Sequence, residues 1–483
     1  VISTIRLKNK KTKGESMQLY KRKHGEEQPY WPAGPFKIRL PFVHYRWEMA
    51  EMIQALIMFV VTLAMIPLLE QYLGLPYDVA LAYVVVCGIG FMLPAMMGVP
   101  FVPGWITAAI PVVVLFLDDF EPGVEAIQAL FALQFLVFLI FLILGVTRLG
   151  STLVNIIPRS MKGGIIIGAG VAAIIGEIEE GGRLAETPIS LILGGLICAY
   201  LMFSISFKQL VEKSDLARKI ANYGIVPGMV VAIIVGFLVK EYPFPDVEFG
   251  ITQPAFAEMW GYLPFMVGFP GLDIFMLAIP TALIAYIIAF GDIIVGKTLL
   301  DRADHLRQDE KIETDIDRVH LVTAIRNALH AFFAPYPGLA GPIWTAVAAT
   351  TAERYKYGRK AMESIYSGSG TFWITGFIAL FILPLVSFFQ PVLPIALSLT
   401  LLLTGYICIM VGLEQLETQV ERGVGGVMAV VLAVYGAGWG LAAGALLYII
   451  VEKTNLFGRE PHDEAGRRPA QKPVGEEAAV GEE

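Results

Sequence analysis

Charge is scarce in this chain. Asp, Glu, Lys and Arg make up 16% of its 483 residues, 56% are hydrophobic, and mean hydropathy is +0.64. A soluble protein of this length has too little interior to hide so much apolar surface, which excludes a large cytosolic enzyme. Cysteine is scarcer still. Cys87, Cys198 and Cys408 stand apart in apolar runs, so neither a disulfide framework nor a thiolate metal or redox centre is expected. His305 and His320 read as residues of a hydrophilic loop and His330 as the start of a broken segment; none has metal-ligand spacing. Walker, HExxH and GxSxG sequences are absent, which argues against direct ATP drive and leaves an intramembrane enzyme as the weakest functional reading. The first 45 residues hold no apolar stretch of the kind a secretory signal needs.

What the chain has is apolar runs, each about the length of a bilayer core. They fall near residues 49–72, 79–97, 101–116, 124–147, 153–176, 188–207 and 223–240, then 272–299, 319–334, 339–352, 368–388, 391–412, 423–437 and 438–452. The expected fold is an all-α polytopic membrane protein of about 14 segments, the third and tenth short and broken. Residues 1–46 form a basic N-terminal tail, 241–271 a connecting loop, and 453–483 a C-terminal tail; both tails read as disordered, without apolar periodicity. Lys and Arg concentrate in the even-numbered loops: Arg302, Arg307, Lys311 and Arg318 in the eighth, Arg354, Lys356, Arg359 and Lys360 in the tenth. Odd-numbered loops carry acids such as Asp118, Asp119 and Glu121. By the positive-inside rule both termini are cytoplasmic, in a multi-pass protein of the plasma (cytoplasmic) membrane.

The two broken segments resemble each other. Pro100, Pro103 and Gly104 precede Trp105-Ile106-Thr107-Ala108-Ala109; Pro335, Pro337 and Gly338, then Gly341 and Pro342, precede Trp344-Thr345-Ala346-Val347-Ala348. Each is third in a set of seven. Seven is odd, so the second repeat (272–452) enters the membrane inverted relative to the first (47–240). Such matched interruptions point to a transporter's substrate site, with half-helix N-termini directed at the ligand.

This 7+7 plan resembles the fold shared by nucleobase–ascorbate (xanthine/uracil) permeases and sulfate permeases. Ala278–Leu300 is similar to the eighth helix of the uracil and xanthine permeases, Ala331–Ala346 to the entry of their tenth segment, and Ile156–Ala173 to their fifth helix. The resemblance covers roughly residues 45–455. It implies a secondary active permease for a small polar or anionic solute, H⁺- or Na⁺-coupled, in which a core with the third, eighth and tenth segments moves against a gate of segments five to seven and twelve to fourteen. A homodimer pairing through the gate, a lipid bilayer as surroundings and no nucleic-acid partner follow. The alternative is a sulfate-permease-like anion channel or exchanger without cation coupling. Where nucleobase permeases carry an eighth-helix glutamate this chain has Ile288 or Ala289, and Ile343 stands at their polar tenth-segment position.

Candidate chemistry is sparse. Asp292 is a carboxylate deep in an apolar span, where ionisation is costly, and it is the candidate for a coupling cation, H⁺ or Na⁺. Thr107 and Thr345 offer hydroxyls, Trp105 and Trp344 flat walls, and Gly338 and Gly341 close backbone approach; these six are the candidate substrate-binding residues. No cofactor and no metal is expected. Gly163, Gly164, Gly168 and Gly170 read as helix-packing glycines. Lys297 and Glu363 read as residues at helix ends facing the interface or solvent.

Overall fold

The computed structural model describes residues 19–453, apart from 151, 153–156, 180 and 222–224. The principal helices are α1 (Met49–Leu63), α2 (Ile66–Leu73), α3 (Tyr77–Met96), α4 (Ile110–Leu117), α5 (Val124–Thr147), α6 (Arg159–Ile178), α7 (Pro188–Phe203), α8 (Ile205–Lys213) and α9 (Val226–Val239), then α10 (Leu272–His305), α11 (Ile316–Phe333), α12 (Thr345–Tyr355), α13 (Ile365–Ala379), α14 (Leu383–Phe389), α15 (Leu393–Glu414) and α16 (Gln419–Leu447). The protein is an all-α polytopic membrane protein. Among the described residues, seven helical stretches are long and apolar enough to cross a bilayer, or eight if α7 and α8, bent by 61°, count as one span. The remaining segments of the expected fourteen are short, broken or polar.

Two assignments differ from the sequence reading. The eleventh segment ends at Ala379, and α14 is a separate short helix leading into α15. The thirteenth and fourteenth segments meet at a kink in α16, where Gly436 takes φ 83° and ψ −179°, a conformation that belongs to glycine and lies beside the boundary expected at 437. His320 belongs to buried α11, not to a loop, and its Nε2 lies 3.1 Å from the Tyr286 hydroxyl.

The helices fall into two groups that pack extensively within themselves and thinly against each other. One holds α1, α3, α5, α10, α11, α12 and α13; the other holds α6, α7, α9, α15 and α16. Glycines set the second group's packing. A Cβ on Gly164 would lie 2.9 Å from the Gly425 carbonyl, and one on Gly170 2.6 Å from that of Gly405. Helix α6 is thereby sandwiched against α15 and α16 at a distance only glycine permits. Cys87, Cys198 and Cys408 are buried and free.

The disordered N-terminal tail is corrected for residues 19–46. A hairpin, β1 (Trp31–Ala33) with β2 (Phe36–Ile38), forms here, and two buried arginines tie this stretch down, Arg22 to the α10–α11 loop and Arg39 to α13. Arg22 Nη2 donates to Asp309 Oδ2 (2.7 Å), and Arg22 Nη1 lies 3.0 Å from Glu310. Arg39 sits 3.9 Å from the Tyr366 ring. These contacts are polar and distant in sequence, so apolar periodicity could not announce them. Glu363 is likewise buried, not solvated: its N–H donates to Glu48 and its carboxylate accepts from Arg359 (both 2.7 Å). The C-terminal tail from residue 454 lies outside the described residues.

Glu310 is fully buried in this cluster, where it also accepts from Ser364 Oγ (2.5 Å). Burial outweighs the two nearby arginines and pushes its carboxyl up to about 6. The folded state therefore holds this proton more tightly than the unfolded chain, and stability from this group falls as pH rises from the ordinary carboxylate range to about 6. Over that window Glu310→Gln is expected to gain melting temperature relative to the wild type, with no further relative change at higher pH. Parallel thermal melts across the pH series check this; a constant difference throughout would contradict it.

Candidate functional site

Pro and Gly break the third and tenth segments, and the two breaks meet. Strand β3 (Gly104–Trp105) pairs antiparallel with β4 (Ala340–Gly341), in the register Gly104 with Gly341 and Trp105 with Ala340. Ile106 N–H donates to Gly338 O (3.1 Å) and Trp344 N–H to Val102 O (2.7 Å). After each strand a helix begins. Thr107 opens a 3-10 turn that runs into α4, and Thr345 is the first residue of α12.

Backbone broken at membrane depth must find partners in the protein, and side chains from α5, α11 and α13 supply them. Asn327 Nδ2 donates to Ala340 O (2.9 Å), while Asn327 Oδ1 accepts from Ala340 N–H (3.0 Å). Gln134 Oε1 accepts from Tyr336 N–H (2.9 Å), Ser369 Oγ donates to Phe101 O (3.0 Å) and Trp373 Nε1 to Pro103 O (3.1 Å). Arg326 of α11 spans the crossover: Nη2 donates to Gly104 O (3.0 Å) and Nη1 to Gly341 O. It is fully buried, its guanidinium lies 5.1 Å from the Phe91 ring, and it has no ion-pair partner among the described residues.

In front of the crossover lies a cavity of about 320 Å³. Its lining draws on both helical groups: α1, the two broken segments, α10 and α13 on one side, α7, the region before α9, and α15 on the other. Of the residues singled out in the sequence, Trp105, Thr107, Trp344, Thr345 and Asp292 all line it. Asp292 accepts no hydrogen bond and forms no ion pair among the described residues. Lys297, five residues on, pairs instead with Asp301. Ile288 and Ala289 are buried away from the cavity, while Ile343 adds an apolar wall.

Gly338 and Gly341, also expected in the site, stand behind the wall. A Cβ on Gly338 would lie 2.8 Å from the Trp105 ring, and one on Gly341 2.5 Å from the Trp105 carbonyl. Both glycines lie outside the cavity lining, and their small size admits the two strands to each other. The sequence reading missed Gln54, whose Nε2 donates to Thr350 Oγ1 (3.0 Å); both line the cavity. It also missed Arg326, Asn327 and Gln134; a charged or amide side chain inside an apolar segment marks them as candidates but not which backbone groups they reach.

No protein-family model matches the chain, and no curated protein sequence matches it. Its structure is similar to that of SLC26A9, with TM-score 0.52 and 14% identity over 84% of this chain and 65% of that one. The chain thus spans just under two thirds of that protein. It is similar to the murine Solute Carrier 26 family member A9 anion transporter in the inward-facing state, with TM-score 0.50 and 13% identity over 84% of this chain and 68% of that one. Similarity also extends to the transmembrane domain of a cyanobacterium bicarbonate transporter, BicA, with TM-score 0.48 and 15% identity over 83% of this chain and 99% of that domain. The fold is the one the sulfate-permease resemblance implied.

Proposed function

We propose that the protein is a secondary transporter, not an enzyme, that moves a small anion through the cavity between its two helical groups. The observation that carries this reading is Arg326. A buried guanidinium without a carboxylate partner is bonded to the strands leading into two half-helices. Helix N-termini carry partial positive charge. Two half-helix N-termini open onto the cavity and Arg326 stands behind the strand crossover that walls it, so their like charges are best balanced when an anion occupies the cavity. The murine protein of the same fold is described as an anion transporter, which agrees. The xanthine/uracil alternative has less support, since Ile288, Ala289 and Ile343 offer no polar contact to a base edge.

In this reading Thr107 and Thr345 donate to the anion, and Trp105 and Trp344 wall it. Asp292 carries the coupling H⁺ or Na⁺. Its negative charge and the anion's share one small cavity, so the anion binds when a cation neutralises the carboxylate. The inverted repeat, with residues 47–240 and 272–452 as its halves, explains why the two strands meet antiparallel. The group with α10 and α12 is the moving core and the group with α6, α15 and α16 the gate, through which a homodimer pairs. The termini and basic loops face the cytoplasm.

Thr345→Val tests the site directly. The change is nearly isosteric and leaves an anion contact unmade, at a cost of about 1–3 kcal/mol, or roughly 5–150-fold in affinity. Anion binding to purified variant and wild type, followed by calorimetry, measures this. Unchanged affinity would place the ligand elsewhere.

A further inference from the structure

Helices α1 and α12 carry a polar seam that continues from the cavity beyond its last lining residues. On α1, Met58, Gln54 and Glu51 follow one another along one face; on α12, Val347, Thr350 and Arg354 do the same, at the three- and four-residue spacing of a helix face. The seam is bridged twice. Gln54 Nε2 donates to Thr350 Oγ1 at 3.0 Å, and one turn further out Arg354 Nη1 lies 2.5 Å from Glu51 Oε1. The two partners of the outer bridge are unequal. The Glu51 side chain is fully buried, and Arg354 is its ion-pair partner, whereas the Arg354 side chain is 32% exposed. Arg354 Nη2 donates to Ala361 O (2.5 Å), and its Nε has no partner among the described residues. Lys356, Arg359 and Lys360 follow it, just past the end of α12.

We propose that Arg354 is a second anion site, a relay at the mouth of the cavity on the face that bears the basic loops, and that Glu51 competes with the anion for its guanidinium. The inference rests on the anion-transport reading above and adds a station to its path. Glu51 stops the anion from being trapped. A lone arginine beside an apolar cavity would hold an anion too tightly, and a buried carboxylate on its inner side offsets that attraction. The anion passes from Arg354 over the Gln54–Thr350 bridge into the cavity, where Thr345 stands at the N-terminus of α12.

The test measures radiolabelled chloride uptake into proteoliposomes, with sulfate and bicarbonate as competitors. Removing either charge should move KM in opposite directions. Glu51→Gln frees Arg354 and is expected to lower KM, and Arg354→Gln to raise it, each by about tenfold, the scale of one charge-assisted hydrogen bond. Arg354→Lys keeps the charge and should stay near wild type, which carries the test if Arg354→Gln folds poorly. A merely structural ion pair gives another pattern: both neutral variants lower the yield of folded protein, KM shifts the same way or not at all, and the charge swap E51R/R354E restores both. That pattern overturns the relay and leaves the anion-transport reading standing. Wild-type protein that takes up none of the three anions overturns both.

Discussion

Asp292→Asn is expected to fold like the wild type and to lose gradient-driven anion uptake by on the order of tenfold or more, because an intramembrane carboxylate that faces a cavity serves transport by carrying the coupling cation. Asparagine keeps the volume of aspartate and replaces a costly charge with an amide, which is cheaper to bury. Asp292 holds no hydrogen bond or ion pair among the described residues that the substitution could break, so a structural penalty has no source there. Anion binding is expected to survive, and even to tighten, since a like charge leaves the cavity. Uptake into proteoliposomes with and without a proton or sodium gradient, and binding on the same preparations, separate these effects. Full gradient-driven uptake by folded variant would show that Asp292 is structural and that the coupling site lies elsewhere; wild-type uptake insensitive to both gradients would make the uncoupled channel or exchanger the better account.

Arg326 separates charge from architecture. For scale, two unit charges about 8 Å apart at an effective dielectric of about 20 interact by about 2 kcal/mol, or roughly thirtyfold in affinity, which is the reach of a charge one layer behind a bound anion. Arg326→Gln is therefore expected to weaken anion binding on that scale. It also costs stability, because the carbonyls of Gly104 and Gly341 lose their donors. Arg326→Lys keeps the charge but cannot fork between two carbonyls. It is expected to lose about 1–3 kcal/mol of stability and to keep affinity within a few-fold. Thermal stability and anion titration of both variants decide the matter. If both lose affinity equally, the guanidinium is only a clamp and the anion takes its charge from elsewhere.

The broken helices were legible because proline and glycine leave an unambiguous mark in an apolar run. Their flanking Trp105, Thr107, Trp344 and Thr345 came with them, and Asp292 stood out as a charge where charge is costly. Residues that act across the sequence were harder to see. Arg326 and Asn327 sit in a segment apolar enough on average to pass as a packing helix, and nothing local says that they reach backbone carbonyls more than ten residues away. Gln54 reads as one polar residue near a helix start until the register of α1 against α12 sets it opposite Thr350. The N-terminal strap has no periodicity to find, because buried ion pairs and a hairpin hold it in place of an apolar stripe. Gly338 and Gly341 mark close backbone approach, and the group they admit is Trp105.

The most direct measurement of the central claim is uptake by wild-type protein in proteoliposomes, offered chloride, bicarbonate and sulfate in one series and uracil, xanthine and sodium alone in another. The account predicts saturable uptake of at least one small anion, stimulated by an inward proton or sodium gradient and strongly reduced in Arg326→Gln. Uptake of a neutral base, or of sodium with no anion, by protein that moves none of the three anions would contradict it.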